Sequence, residues 1–581
     1  MPSSRDHFRR RCAGNGSATD ELELVRGRAL HFLAVATTHL SVCMTVLLFC
    51  GHRTDVIAQE LLPPDAGIVT AIDHYIQQKL ASTSIPVVAP ADDMSLLRRT
   101  TLDLAGRVPT AAERSWFMSL PEADRRRQLV DRLMQLPDYD FHLRNWLDET
   151  LLPNQPFDDE FRAYLLTAVR SRRNWDTIFR EIIRANVVDG PDKGASKFVM
   201  SRVRELDDLT NDTAVLFFGV NISCAKCHDH PLVPDWKQDH FYGMQTFFSR
   251  TYPTRKTNTI SERPFGEVRF ATVSGEDKKA AFMFLTGETV ADRTPRLGEE
   301  ERKQLEDRVR KLENEDTEAE ILIPDFRPRE ELVDLALRDS KDRFFARNII
   351  NRTWARLLGT GLVDPPDQLH SGNPSSHPEL FDWLTNDLVT HGYDLQRLIR
   401  GIVLSEAYAR SSEWTTGSEP PPGPVFAVAQ TRALTPRQLA ASLHVVVRDP
   451  ELWPTIENAD EWSKRRTELE NQANGWVRDF EQPSENFQIG VEEALFFNNN
   501  ERVQNELLRD SDDQLLGRLA KATDQQSGIE QLWLTVLNRP PQSEELTSAS
   551  LWLERTPDDS SASRRQLLWA LLAGAEFRFN H

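Results

Sequence analysis

Cys224-Ala225-Lys226-Cys227-His228 places two thiols three positions apart and an imidazole directly after the second. Two thiols one helical turn apart can each add to a haem vinyl group, and the adjacent imidazole then lies over the iron as proximal ligand. The run is the complete Cys-x-x-Cys-His pattern of haem c attachment. It predicts one covalent haem on Cys224 and Cys227, with His228 as proximal ligand, and hence a redox or electron-transfer role. The same atoms support other chemistries. Cys224, Cys227 and His228, together with His230 and His240, are donors for tetrahedral zinc or another divalent metal, and Asp229, Asp235 and Asp239 add carboxylates. The two thiols can also close a local disulfide or act as a redox couple. A purely structural role, with His230-Pro231 ending a helix, uses no chemistry at all. For a sixth iron ligand, His230, His240 and Met244 lie within sequence reach. Trp236, Phe241, Tyr242, Phe247 and Phe248 would wall a haem or serve as ordinary core aromatics.

Other catalytic patterns are missing. There is no Gly-x-x-x-x-Gly-Lys, no Gly-x-Ser-x-Gly and no His-Glu-x-x-His, and no carboxylate pair stands out among the 89 acidic residues. Gly359-Thr360-Gly361 reads as a helix C-cap. Asp364, Asp367, His370 and His377 form either a second polar site or a set of turn and capping residues between prolines.

The elements that must hold the motif can be sketched from the whole chain. Its 581 residues predict two to four domains, and its 39% apolar and 27% charged residues predict a globular chain. The net charge of −19 repels phosphate backbones and argues against nucleic acid as a partner. Of five cysteines, Cys12, Cys43 and Cys50 precede the body, so no disulfide framework spans it. Residues 1–28 are a polar, arginine-rich leader expected to stay cytoplasmic. Residues 29–51 carry no acidic, Lys or Arg side chain and are long enough for a signal or anchor segment. Val56-Ile57-Ala58 offers a cleavage site, and with or without cleavage the body lies in the periplasm or at the cell surface. An uncleaved segment would tether the chain to the membrane.

The body is predicted to be mainly α and multi-domain, with a small β-rich insert between two helical domains. Residues 66–250 hold the first domain: Ile68, Ile72, Ile76 and Leu80 recur at helical spacing, as do Leu129, Leu133 and Leu136. Thr110 and Glu113 suit a capping box. Residues 251–325 hold the insert, with β-prone runs at Phe265–Val273 and Ala280–Val290, then a charged helix at about 299–316 with Leu305, Val309 and Leu312 as its apolar stripe. Residues 326–581 hold the second helical domain. Its core material includes Trp354, Leu357, Leu358, Trp383, Leu384, Leu398 and Ile399, and its final helix carries Leu567, Leu568, Leu571 and Leu572. Ser411–Val425 is expected to be a long loop.

Longer stretches carry a resemblance. Leu97-Arg98-Arg99-Thr100-Thr101-Leu102-Asp103-Leu104-Ala105-Gly106-Arg107-Val108-Pro109-Thr110, then Cys224 to Pro231, Trp236, Gln238, Asp239 and Phe247-Phe248, resemble the planctomycete cytochrome-c-like domain of unknown function. Phe344 to Trp354, Gly359 to Pro365, Asn373 to Leu380, Asn538-Arg539-Pro540-Pro541 and Glu576 to His581 resemble the planctomycete-specific domain that follows it. The resemblance covers most of the chain after about Ile68. It implies a cell-envelope protein working with a secreted sulfatase-like partner and an unknown redox partner, and it supplies no activity. Many members carry a separate small cytochrome domain ahead of this region, whereas here the leader runs almost directly to Ile68. The family pattern includes His230 and Asp239, while the positions of His240 and Met244 are usually aromatic or aliphatic, so a ligand role for those two would be peculiar to this chain. The alternative function is an extracytoplasmic binding or scaffold protein, linked to polysaccharide processing, with a structural metal or disulfide at the same motif.

Overall fold

The computed structural model describes residues 61–153, 158–185, 190–230, 233–317, 321–415, 419–454, 457–483, 496–497, 499–555 and 560–581. The leader 1–28, the segment 29–51, the Val56-Ile57-Ala58 site and Pro231 lie outside them. No helix among the described residues is long and apolar enough to cross a membrane.

Local chemistry sets the helix starts. Thr110 Oγ1 accepts from the Glu113 N–H at 3.2 Å, and the Glu113 carboxylate accepts from the Thr110 N–H at 2.8 Å, so two orphan donors of Ala111–Ser119 are satisfied reciprocally. The same carboxylate grips Arg107, which also binds Asp138 at 2.6 Å, all three groups being buried. Ile68–Thr83 buries Ile68, Ile72, Ile76 and Leu80 on one face, as their spacing requires. Leu129 and Leu133 lie on Arg125–Leu133. Leu136 falls beyond that helix and precedes Pro137, which opens Pro137–Leu151.

The chain is mainly helical, and its strands form small two-stranded antiparallel ladders. Three of them make the insert: Thr251–Thr254 with Thr259–Glu262, Arg269–Ala271 with Asp277–Lys279, and Phe282–Met283 with Thr289–Val290. The first hairpin was not among the expected β-runs, and the expected run at Phe265–Val273 supplies only three strand residues. The charged helix follows at Glu299–Asn314, burying Val309 and Leu312 while Leu305 is half-buried. The core residues expected between Trp354 and Ile399 are all buried.

Two seams join the helical halves. In one, Trp175 of Trp175–Arg184 stacks on Phe217 of Leu206–Phe218 (5.8 Å) and on Phe345 of Phe344–Leu358 (6.0 Å, 4°). In the other, Glu470 of Ala459–Asn474 receives Arg144 (2.6 Å), Arg162 (2.9 Å), Arg466 (3.1 Å) and Arg437 (3.3 Å). Burial alone would raise the Glu470 carboxyl, but the summed pull of Arg466, Arg144, Arg437 and Arg162 holds it down at about 2.

Candidate functional site

Helix Leu206–Phe218 ends at Gly219, whose backbone is left-handed (φ 68°). A side chain there would meet Leu369 Cδ1 at 2.7 Å and Asn348 Oδ1 at 2.9 Å, so only glycine lets the loop of the second half dock. That loop then pairs its backbone along the exit. The Leu369 N–H donates to Gly219 O (2.9 Å), and the Asn221 N–H donates to Asp367 O (3.0 Å).

The motif begins at once. Asn221 Oδ1 accepts from the Ser223 N–H (3.1 Å) and from Ser223 Oγ (2.7 Å), closing a tight turn in place of the helix expected here. Ser223–Lys226 forms a 3-10 turn anchored by buried Ala225. Cys224 and Cys227 are both free and both exposed. Lys226 is tied to Asp207 of the preceding helix.

Helix Gln238–Thr246 braces the turn from behind. Gln238 Nε2 donates to Cys227 O (3.2 Å), and its Oε1 accepts from the Val273 N–H (3.2 Å), so one buried amide links the motif to the insert hairpin. The Gln238 N–H donates to Asp229 Oδ1 (3.2 Å), and Tyr242 Oη donates to Lys226 O (3.0 Å). Tyr242 also stacks on Phe270 of the hairpin at 4.2 Å and 12°. Asp239 pairs with Lys278 of the same hairpin at 2.7 Å. Sequence reasoning used neither Gln238 nor Tyr242 as a positioning group, although Gln238 stood inside the family-like run.

The histidines differ in which ring nitrogen is occupied, and that decides what each can do. His228 Nδ1 lies 2.7 Å from the Asp229 carbonyl. A carbonyl only accepts, so Nδ1 carries the hydrogen and Nε2 carries the lone pair, the arrangement a metal ligand needs. His230 Nδ1 accepts from the Val233 N–H (3.1 Å), and His240 Nδ1 accepts from the Lys237 N–H (3.1 Å). Their hydrogen therefore sits on Nε2. Burial is the main cause that lowers the His240 pKa. Met244 is wholly buried. Trp236, Phe241, Phe247 and Phe248 are core residues as well, with Trp236 against Phe344 (5.8 Å) and Phe247 against Phe282 (5.5 Å). Among the described residues, no three His, Cys, Asp or Glu side chains gather as a set that could hold a metal ion.

Beside this loop lies a cavity of about 570 Å³ at the seam of the two halves. Asp235, Trp236 and His240 line one side, and Phe344, Arg347 and His370 the other. Asp235 accepts from the Ser371 N–H and Oγ, both at 2.8 Å, which fixes the second-half loop. Asp364, Asp367, His370 and His377 do not converge into one site. The Asp364 and Asp367 carbonyls serve the loop, His370 borders the cavity, and His377 is buried at the start of Pro378–Thr390, where burial pulls its pKa to about 4.

Residues 71–252 match the family described as PSCyt2, protein of unknown function (DUF1549). Residues 328–553 match PSD1, protein of unknown function (DUF1553). Neither a curated protein nor a solved structure matches the chain.

Proposed function

The chain belongs to the tandem PSCyt2–PSD1 family, and from its own geometry we propose that it is a redox or electron-transfer protein carrying one covalent haem c on Cys224 and Cys227. The observation that carries this is the state of the motif: two free, exposed thiols on a braced turn, followed by a histidine whose Nε2 is available. The donor chemistry fits the group. His228 would hold the iron through Nε2, while the Asp229 carbonyl, by accepting from Nδ1, fixes the ring's tautomer. Gln238, Tyr242 and the Lys226–Asp207 pair keep the turn's shape. A haem held there supplies a one-electron couple at the protein surface, within reach of a partner.

Because haem c is attached outside the cytoplasm, this function carries with it a cell-envelope location, with residues 29–51 as the exporting or anchoring segment. A redox partner is then required. A secreted sulfatase-like protein remains the partner suggested by family resemblance.

A second proposal rests on a specific observation: Cys224 and Cys227 are free and exposed, three positions apart at one 3-10 turn. On that ground the thiols would form a disulfide or dithiol couple in an envelope scaffold. The tautomers of His230 and His240 make a zinc site with those two ligands the less suitable variant. Haem-stained denaturing gels of protein from a host that matures haem c separate the two. Staining that disappears in Cys224→Ser/Cys227→Ser supports the haem, and His228→Ala should keep the stain while altering the visible spectrum. Unstained protein that loses two hydrogens on mild oxidation supports the disulfide instead.

A further inference from the structure

The cavity at the seam takes its walls from three parts of the chain. Asp235, Trp236 and His240 come from the first family region, Leu285 and Thr286 from the insert, and Phe344, Arg347, His370 and Asp382 from the second region. Its volume of about 570 Å³ is that of a small-molecule site, for which about 300–1,000 Å³ is usual.

What the wall offers depends on which of its groups are already engaged. The two cations of the lining are matched there: Arg347 pairs with Asp382, and Lys341 lies 3.6 Å from Asp342. The remaining carboxylate, Asp235, is held by the Ser371 N–H and hydroxyl at 2.8 Å each. An anionic ligand therefore finds no unmatched cation. Every carboxylate still has lone pairs to give, because an ionised carboxyl group accepts about four hydrogen bonds.

The donors are two imidazoles on opposite sides. His240 Nδ1 accepts from the Lys237 N–H and His370 Nδ1 from the Gly372 N–H, both at 3.1 Å, so each ring carries its hydrogen on Nε2. Burial lowers the pKa of both, which favours the uncharged ring. The large apolar side chains of the lining, Trp236, Leu285, Phe344, Val363, Leu369 and Phe381, are buried and shape the wall from behind. Asp235, His240, Arg347, His370 and Asp382 are only half-buried.

We propose that this cavity binds a neutral, hydroxyl-rich ring, the chemistry of an uncharged pyranose sugar. A sugar hydroxyl both donates and accepts. Neighbouring hydroxyls can thus donate to Asp235 or Asp382 and accept from Nε2 of His240 or His370, while the ring's C–H groups lie against apolar carbon. The site uses none of Cys224, Cys227 and His228, so it stands independently of the haem proposal.

The test uses the full chain. Saturation-transfer difference NMR is run with the methyl glycosides of glucose, galactose, mannose and xylose, and with cellobiose and maltose, alongside glucosamine and glucuronic acid as charged comparisons. Calorimetric titration then gives the affinities. The expected result is saturable binding of at least one neutral sugar, tighter than either charged one. Removing a donor in His240→Phe or His370→Ala should weaken it about threefold or more, and Asp382→Asn, which removes a charged acceptor, about tenfold or more. A folded parent that binds no neutral sugar overturns the site. So does binding that His370→Ala and Asp382→Asn, folded by thermal melt, leave unchanged, and so does tighter binding of a charged sugar. None of these outcomes bears on the haem count.

Discussion

Replacing Glu470 with glutamine tests the seam that holds the two family regions together. The change keeps the side chain's shape and removes one buried charge shared by Arg144, Arg162, Arg437 and Arg466. Those arginines keep other partners: Asp148 for Arg162, Glu149 for Arg437, and Asp138 at 3.7 Å for Arg466. Arg144 loses its only ion-pair partner among the described residues, and burial already pulls its pKa down to about 9. Breaking a buried pair by removing one partner costs about 3–5 kcal/mol. An unfolding entropy of about 2 cal/mol/K per residue, over roughly 500 residues, gives ~1 kcal/mol per degree, so the expected loss in Tm is ~3–5 °C. The pH dependence has a definite sign. The Glu470 pKa is depressed on folding, from 4.5 to about 2, so its stabilisation is complete above the unfolded value and lost as pH falls through the folded one. Thermal melts of parent and Glu470→Gln should therefore differ most at neutral pH and converge as the pH drops below 4.5. A variant that melts with or above the parent at neutral pH would refute the idea that this carboxylate holds the seam.

Three further outcomes follow from the geometry. Gly106→Ala should destabilise by ~2 kcal/mol or more, because a left-handed non-glycine residue costs about 1–2 kcal/mol and the new Cβ would lie 2.4 Å from His142 Nδ1; an unchanged urea midpoint contradicts this. Gln238→Ala should speed amide exchange both at residues 223–230 and in the hairpin 269–279, since one amide serves both; acceleration on one side alone would show that Gln238 is not the link. In reduced protein without haem, Cys224→Ser/Cys227→Ser should remove two fast-reacting equivalents of Ellman's reagent, as both thiols are exposed; slow reaction of the parent thiols contradicts their exposure.

What could be read from the sequence was local. The Thr110–Glu113 box, the stripe from Ile68 to Leu80 and the charged helix at 299–314 depend on residues within a few turns of each other, and each stands where its pattern put it. The mainly α class and the β-rich insert followed from the same kind of signal. The hairpin of Thr251–Thr254 and Thr259–Glu262 was missed because four short residues interrupted by Pro253 look like a loop. At the motif, residue types were legible and conformation was not. Helical periodicity on both sides suggested a helix, but Asn221 captures Ser223 and closes a 3-10 turn. The braces were hidden for a different reason: Gln238 reaches Val273, and Gly219 makes room for Leu369, contacts that no short window contains. The tautomers of His228, His230 and His240 were likewise beyond the sequence, because each is set by one backbone group in the folded loop. The arginines around Glu470 defied composition outright, since charged side chains ordinarily mark surface and these are buried.

The haem assignment is tested most directly by a pyridine haemochrome count on the full chain, exported in a host that demonstrably matures a control c-type cytochrome. The account predicts one covalent haem per chain, falling to none when Cys224 and Cys227 are both replaced by serine. Colourless, fully exported protein alongside a haem-loaded control would contradict it and leave the exposed thiols as a disulfide couple.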